Sequence, residues 1–170
     1  NGLVAVVKNN KVGYLEKSGR FTISSRYDVP PHFSGSLSNL AFSENLAAIY
    51  ENGLYGYINR KGELIISPKF ENARPFSEDM AMVRFQGKVG FINKKGAFVI
   101  EPKFQDALPF KCGSASVKVG EKWGIIDKKG TFIAQPKFDF VSQFKNGLAQ
   151  FTLINGTGYI NKEGTIVWQP

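Results

Sequence analysis

The chain repeats itself every 34 residues, and this period restricts its fold more than any other feature of the sequence. A fixed period of about 20 to 50 residues usually indicates an array of one small structural unit, in which neighbouring units bury each other's apolar faces. We therefore expect one repeat domain over residues 1–170. The spacing is kept by Gly56, Gly90, Gly124 and Gly158, by Gly62, Gly96, Gly130 and Gly164, and by Pro68, Pro102, Pro136 and Pro170.

Five copies of the unit align on these positions. The first copy fits less closely, since the step from Gly13 to Gly56 is 43 residues, and we assign the excess to an inserted loop at 28–40. We place copy one at residues 1–27, copy two at 42–70, copy three at 76–104, copy four at 110–138 and copy five at 144–170.

The pattern of each copy predicts three β-strands, which we name A, B and C. In strand A of copy three, Ala81 and Val83 alternate with Met82 and Arg84. This period of two is the pattern of a half-buried strand, because successive side chains of a strand point to opposite faces. The repeat therefore predicts an all-β fold.

Strand C of copy three, residues 97–101, is apolar on both faces. We expect such a strand to lie sandwiched between neighbouring copies. Pro102 is expected to end it, because proline cannot donate a ladder hydrogen bond. Large aromatic side chains at the links between copies are expected to fill the space between them. These are Phe76, Phe104, Phe110, Phe138 and Phe144.

Two kinds of turn join the strands. Between A and B, pairs such as Asn52-Gly53 and Gln86-Gly87 suit two-residue hairpins, which need positive φ, and copy five has Asn155-Gly156 one place later. Between B and C, Asn93-Lys94-Lys95-Gly96 has the pattern of a type I turn closed by a glycine bulge. The two central residues of such a turn are exposed, which explains its lysines without a ligand. Equivalent turns lie at 59–62, 127–130 and 161–164.

The formal net charge of +8 allows two interpretations. A basic protein attracts acidic partners, but turn lysines also keep a β protein with many exposed strand edges soluble. The one cysteine, Cys112, cannot form an internal disulfide, so the compartment is left open. No run of about 18 apolar residues is present, so we expect no membrane span.

The segment Lys122-Trp123-Gly124, followed by Lys129-Gly130 and by Gln135-Pro136-Lys137-Phe138, resembles the bacterial WG-repeat (KWG-repeat) family. The resemblance covers the chain outside residues 28–40. It implies a β-rich repeat module, often part of larger or surface-associated chains, and it brings no catalytic motif. The other copies carry Val12, Tyr55, Val89 and Thr157 at the position of the tryptophan.

Two architectures fit three-stranded copies. An open, solenoid-like array is favoured because the divergent copy one suits the end cap that such an array needs. The alternative is a five-bladed β-propeller, although propeller repeats usually run about 40 to 50 residues with four strands.

The residues offer no catalytic constellation. His32 and Cys112 are the only residues of their types, they belong to different segments, and no third group orients them as a nucleophile pair would require. No cluster has metal-ligand spacing, and no glycine-rich phosphate loop precedes a helix. We therefore predict no cofactor, no metal and no enzymatic activity, with an enzyme of unrecognised site as an alternative.

We predict instead a non-catalytic binding or scaffold module that mediates protein–protein interaction. The partner is expected to be a protein or peptide, and the inserted loop with His32 and Phe33 is a candidate contact because loops that break a repeat often carry specific contacts. The alternative is an anionic polymer, a cell-wall glycan or nucleic acid, lying along a lysine stripe on the B–C turns. That stripe comprises Arg60, Lys61, Lys94, Lys95, Lys128, Lys129 and Lys162.

Overall fold

The structure is a computed structural model that describes residues 2–31 and 37–169. Within them the chain forms antiparallel strands and one short 3-10 turn, Ser38–Leu40, and no α-helix. Strands dominate because apolar and polar residues alternate with a period of two between short glycine- and asparagine-containing turns. The all-β prediction is confirmed.

The strands form five small sheets, and none of them closes on itself. Sheet one contains β1 (Val4–Lys8), β2 (Lys11–Leu15) and β3 (Phe21–Asp28), and sheet two contains β4 (Leu46–Glu51), β5 (Leu54–Asn59) and β6 (Leu64–Phe70). Sheet three contains β7 (Asn72–Ala73), β8 (Ala81–Phe85), β9 (Lys88–Ile92) and β10 (Phe98–Phe104), and sheet four contains β11 (Asp106–Ala107), β12 (Ser114–Val119), β13 (Lys122–Asp127) and β14 (Phe132–Phe138). Sheet five contains β15 (Phe140–Val141), β16 (Leu148–Leu153), β17 (Gly156–Asn161) and β18 (Ile166–Trp168).

The tandem sheets are consistent with an open, solenoid-like array, as predicted. Val4 in the first sheet and Trp168 in the last are 64% and 53% exposed. The two ends therefore do not cover each other, as they would in a five-bladed ring.

Sheets three, four and five each have a fourth strand that was not predicted from the sequence. In sheet three, Asn72 and Ala73 pair with Arg84 and Val83 along the outer edge of strand A. The link between copies carries no alternating pattern, but its backbone covers an edge that would otherwise present unpaired N–H and C=O groups.

Pro102 does not end strand C, which was the expectation. Strand β10 continues through Pro102 to Phe104, and Phe104 pairs with Val89. The proline is tolerated because β10 lies at the edge of its sheet and the register shifts between Ile100 and Phe104.

The expectation that strand C is sandwiched on both faces is also wrong. In β10 Ile100 is buried, whereas Val99 beside it is exposed. The equivalent residues Ile65 and Val167 are exposed as well, so strand C is covered at some of its positions only.

Aromatic rings fill the space between copies, as predicted. Phe76, Phe104, Phe110, Phe138 and Phe144 are all at most 1% exposed. Several contacts cross from one copy to the next. The Tyr57 ring of copy two meets the Phe76 ring of copy three with centroids 5.0 Å apart, and Phe91 meets Phe110 of copy four at 4.8 Å. Edge-to-face contacts of this kind stabilise a core beyond the area that they bury.

The end of the predicted insertion is tied to copy one. The hydroxyl of Tyr14 donates a hydrogen bond to the carbonyl oxygen of Leu40 at 2.9 Å, and both residues are buried. Burial raises the pKa of the Tyr14 hydroxyl well above its ordinary value, so it stays a donor at neutral pH. His32 and Phe33 lie outside the described residues.

The A–B hairpins have two-residue loops, and Asn52, Gly53, Gln86 and Gly87 adopt the predicted positive φ. Copy five differs from the expectation. Leu153 pairs with Gly156 there, so the loop residues are Ile154 and Asn155 rather than Asn155 and Gly156.

Candidate functional site

The B–C turns present the predicted lysines on a rigid backbone. In copy three the side-chain oxygen of Asn93 accepts hydrogen bonds from the N–H groups of Lys95 and Ala97 at 2.9 and 3.1 Å. The Gly96 N–H donates to the Asn93 carbonyl at 2.9 Å, and Gly96 has a φ of 80°. These bonds confirm the type I turn with its glycine bulge.

The first lysine of these turns joins neighbouring copies. Lys94 Nζ lies 2.5 Å from an Asp79 carboxylate oxygen of its own copy and 3.0 Å from Glu44 of the preceding copy. Lys128 Nζ likewise lies 3.5 Å from the Glu78 carboxylate and 2.9 Å from the Glu78 carbonyl oxygen. We call the contacts of Lys94 with Glu44 and of Lys128 with Glu78 the Glu–Lys pairs.

The glutamates of these pairs sit in a second tight hairpin that precedes strand A. Glu44 and Glu78 have positive φ values of 50° and 54°. Each carboxylate also accepts a backbone N–H of the next copy, from Asp79 at 3.0 Å and from Gly113 at 2.9 Å. The hydrogen bond from Lys94 lowers the pKa of the Asp79 carboxyl group below its ordinary range. The Lys94–Asp79 contact therefore stabilises the fold at neutral pH, and this stabilisation is lost as the pH falls through the lowered pKa.

The stripe is not uniform along the array. Glu44 and Glu78 each lie 50 residues before the lysine that they bind, Lys94 and Lys128 respectively. The residue 50 positions before Lys162 is Cys112, which carries no carboxylate. Lys162 instead lies 3.9 Å from the carboxylate of Glu163. At the other end the Arg60 guanidinium lies 5.4 Å from the centroid of the Phe42 ring.

The second lysine of each turn is differently placed. Lys61, Lys95 and Lys129 are exposed, and within residues 2–31 and 37–169 none of them forms an ion pair. The structure thus separates Lys94 and Lys128, which hold neighbouring copies together, from the three lysines of the stripe that face solvent.

A second surface was not predicted, and it lies on strand C. In copy three, Phe98 pairs with Ile92 and Ile100 pairs with Phe91, so Val99 is an extra residue in a β-bulge. A bulge re-aims the side chain of its extra residue away from the regular ladder. Val99 therefore points outward although it belongs to an apolar run.

The same bulge recurs in all five sheets, and its extra residue is β-branched each time. We call these residues the β-branched row. Ile65, Val99 and Val167 are 43% to 49% exposed, and Ile133 is half-buried because it meets Gly164 of copy five. The row comprises Thr22, Ile65, Val99, Ile133 and Val167. The signal that could have revealed it is the constant β-branched type at one repeat position.

A shallow hollow of 240 Å³ adjoins the row in copy three. Phe98, Glu101 and Pro102 of β10 line one part of it, and Phe85, Gln86 and Lys88 of the A–B hairpin line the rest. The described part of the chain contains no group of three or more residues that could hold a metal ion. Cys112 is exposed at a hairpin with a φ of 55°.

Among the residues that the structure describes, no helix has the length and apolar character needed to span a membrane.

One of the solved structures compared with this chain shows a likeness in fold. A solved structure of a eukaryotic initiation factor superposes on 99% of this chain with a TM-score of 0.59 and 15% sequence identity. This chain spans 52% of that structure, and at such low identity the likeness concerns the fold alone. An alternansucrase solved in complex with isomaltononaose aligns with 98% of this chain and 16% of its own length at 12% identity. Its TM-score of 0.18 is too low to indicate a shared fold. No curated protein matches the chain.

The family comparison is more informative. The model of the WG containing repeat matches three times in succession, at residues 55–88, 90–123 and 123–156. Together these matches cover more than half of the chain, and each spans one 34-residue period. The chain therefore belongs to the family of WG repeat proteins.

Proposed function

We propose that this protein is a non-catalytic scaffold that binds another protein through the β-branched row. The observation that supports the proposal is the exposure of an apolar, β-branched side chain at the same bulge of sheets two, three and five. Single exposed apolar residues are ordinary, but exposed apolar residues that recur at one position of a repeat array form the kind of surface that extended partners use.

The partner that fits this surface is a protein that carries apolar side chains along an extended segment. Strand C adds unpaired edge N–H and C=O groups beside the row, because β10 and its equivalents end their sheets. An extended segment can bond to such an edge while its side chains contact the row. The hollow beside Phe98 and Glu101 would take one larger side chain of that segment.

The test is the capture of partner proteins from cells of the source organism on immobilised protein. The Ile65→Asp/Val99→Asp double variant is expected to retain about 100-fold less of any specific partner, because two lost contacts of about 1.4 kcal/mol each give that factor. Val119→Asp is the matched control, since Val119 is 40% exposed but lies at the end of strand A, outside the row. Equal capture by the double variant and the wild type would contradict the proposal.

Binding of an anionic polymer is a second candidate, and it is favoured by Lys61, Lys95 and Lys129, which face solvent at equivalent places. Heparin is a suitable probe, with retention measured along a salt gradient, because phosphate- or sulfate-type contacts weaken as salt rises. We expect the triple charge reversal of these lysines to elute at clearly lower salt. Lys94 and Lys128 are left unchanged because they hold copies together.

The control for this experiment removes the same charge elsewhere. Lys88, Lys111 and Lys145 are exposed and lie outside the B–C turns, so their reversal changes net charge equally. If both triple variants lose the same retention, the cause is net charge and the stripe has no role of its own.

A further inference from the structure

The hollow of copy three has two phenylalanine rings in its wall, and the preceding copy holds both of them in place. Phe85 ends strand A and Phe98 begins strand C, and their ring centroids lie 5.8 Å apart. Phe70 of copy two, which is buried, meets these two rings at 6.3 and 6.2 Å. Phe85 and Phe98 themselves are half-buried and line the hollow. The wall is therefore ordered before anything binds, which lowers the entropic cost of binding.

A carboxylate stands beside these rings without an ion-pair partner. Glu101 lines the hollow and is exposed, and it takes part in none of the ion pairs that the described residues form. Lys88 at the rim takes part in none of them either. Its equivalent in copy four, Lys122, pairs with Asp139 at 2.5 Å, but copy three has Gln105 in place of that aspartate.

Copy three alone combines two aromatic residues and a carboxylate at these three positions of the sequence. Residues that the repeat structure needs recur at its period, as Gly90 and Pro102 do. The residues of the hollow do not recur, so the architecture of the repeat does not explain them. The equivalents are Lys8, Phe21 and Ser24 in copy one, Glu51, Leu64 and Ser67 in copy two, Val119, Phe132 and Gln135 in copy four, and Leu153, Ile166 and Gln169 in copy five.

Copy one shows that a ring at this position of strand C accepts a cation. Phe21 takes the place of Phe98 in the ladder. Lys8 takes the place of Phe85, and its Nζ lies 5.5 Å from the centroid of the Phe21 ring. A cation at this distance is attracted by the negative face of the ring. In copy three a second ring replaces the lysine, and no lysine or arginine among residues 2–31 and 37–169 lies over Phe85 or Phe98.

We propose that the hollow of copy three binds an arginine side chain of the partner protein. The inference rests on the proposed function, because it assigns the larger side chain that the partner's extended segment places there. A guanidinium is planar and always charged, so it stacks on an aromatic ring while its N–H groups pair with a carboxylate. Phe98 and Glu101 supply both groups in one hollow. Its 240 Å³ is smaller than the roughly 300 to 1,000 Å³ of pockets for drug-sized ligands, which suits a single side chain.

NMR titration of the full chain with two synthetic peptides tests the proposal. Both peptides alternate threonine and valine, and the central residue is arginine in one and citrulline, its uncharged counterpart of similar shape, in the other. We expect the arginine peptide to shift the amide signals of β9 and β10 and to bind about tenfold more tightly than the citrulline peptide, because the charge strengthens the contacts with both the ring and the carboxylate.

Three variants of exposed residues assign this preference to the hollow. Glu101→Gln is expected to remove most of the preference for arginine. Glu121→Gln is the matched control, because it makes the same charge change at the A–B hairpin of copy four, where the Glu121 side chain is 94% exposed. Lys88→Gln is expected to tighten binding of the arginine peptide about twofold, since a like charge leaves the rim. Equal affinities of the wild type for the two peptides, or weaker binding by Lys88→Gln with none by Glu101→Gln, would overturn the proposal.

Val99→Ser separates a failure of this inference from a failure of the proposed function. It removes an apolar side chain of the β-branched row and leaves Phe98 and Glu101 in place, so both peptides should bind less tightly by the same factor. If neither peptide is affected but the preference for arginine persists, the row is wrong and the hollow stands. If both bind less tightly and the wild type does not distinguish them, the row stands and the arginine assignment is wrong. A wild type that binds neither peptide at millimolar concentration also overturns the arginine assignment, and partner capture then decides the role of the row.

Discussion

Gly90→Ala is expected to lower the free energy of unfolding by about 3 kcal/mol, at the upper end of the cost of overpacking. A Cβ at Gly90 would lie 2.7 Å from the carbonyl oxygen of Ile100 and 2.8 Å from the nitrogen of Pro102. Both atoms belong to the backbone of β10, so no side-chain rotation can relieve the contact. Urea denaturation followed by circular dichroism measures the change.

Gly87→Asn provides the control for this substitution. Gly87 has a φ of 73° at an exposed hairpin, and nothing lies within 4 Å of the Cβ that a larger residue would add. Asparagine tolerates that backbone conformation, so a loss of less than about 0.5 kcal/mol is expected. Gly90 has no positive φ, so equal losses at Gly87 and Gly90 would contradict the role assigned to the close approach of β10.

Phe110→Ala is expected to cost about 3 to 5 kcal/mol, the usual cost of removing a fully buried phenylalanine. Phe110 begins copy four and is 1% exposed, and its ring lies 4.8 Å from that of Phe91 in copy three. The cavity would open between two copies, so both should lose stability. Urea denaturation again gives the loss, with the midpoint and the slope compared with those of the wild type.

Phe140→Ala is the matched control for Phe110→Ala. Phe140 contacts the ring of Trp123 at 5.2 Å but is 42% exposed. Its loss should cost about 1 kcal/mol, the value of a single aromatic contact. A cost for Phe110→Ala no greater than this would contradict the role assigned to the phenylalanines between copies.

The repeat made most of the architecture predictable. Glycine and proline at a constant spacing specify where turns and bulges fall, and the Asn93-to-Gly96 turn forms as its residues indicate. The inter-copy phenylalanines could be identified for a similar reason, since one short unit has no other way to bury large apolar side chains.

The edges of the sheets were harder to predict, because pairing depends on which strands meet in space. Nothing in the local pattern of Asn72 and Ala73 indicates a strand, yet their backbone pairs with the edge of β8. Pro102 signals a strand end by its own chemistry, but an edge strand with a register shift tolerates it.

The candidate surfaces show the same limit. Lys94 and Lys95 are adjacent and chemically identical, and only the position of Glu44 in the folded array makes one of them a contact between copies. Val99 reads as a core residue because its neighbours are apolar, and the bulge that turns it outward is visible only in the ladder. Hydrogen-bond register and neighbouring copies decide these roles, and a local pattern contains neither.

The central claim is that neighbouring copies support one another's folding, and site-resolved hydrogen exchange on Phe110→Ala tests it most directly. Opening free energies would be compared with the wild type for the backbone amides of β9 in copy three and of β12 and β13 in copy four. We predict a loss of protection in both copies, although the substituted residue belongs to copy four alone. Wild-type protection throughout β9, with the loss confined to copy four, would contradict the claim.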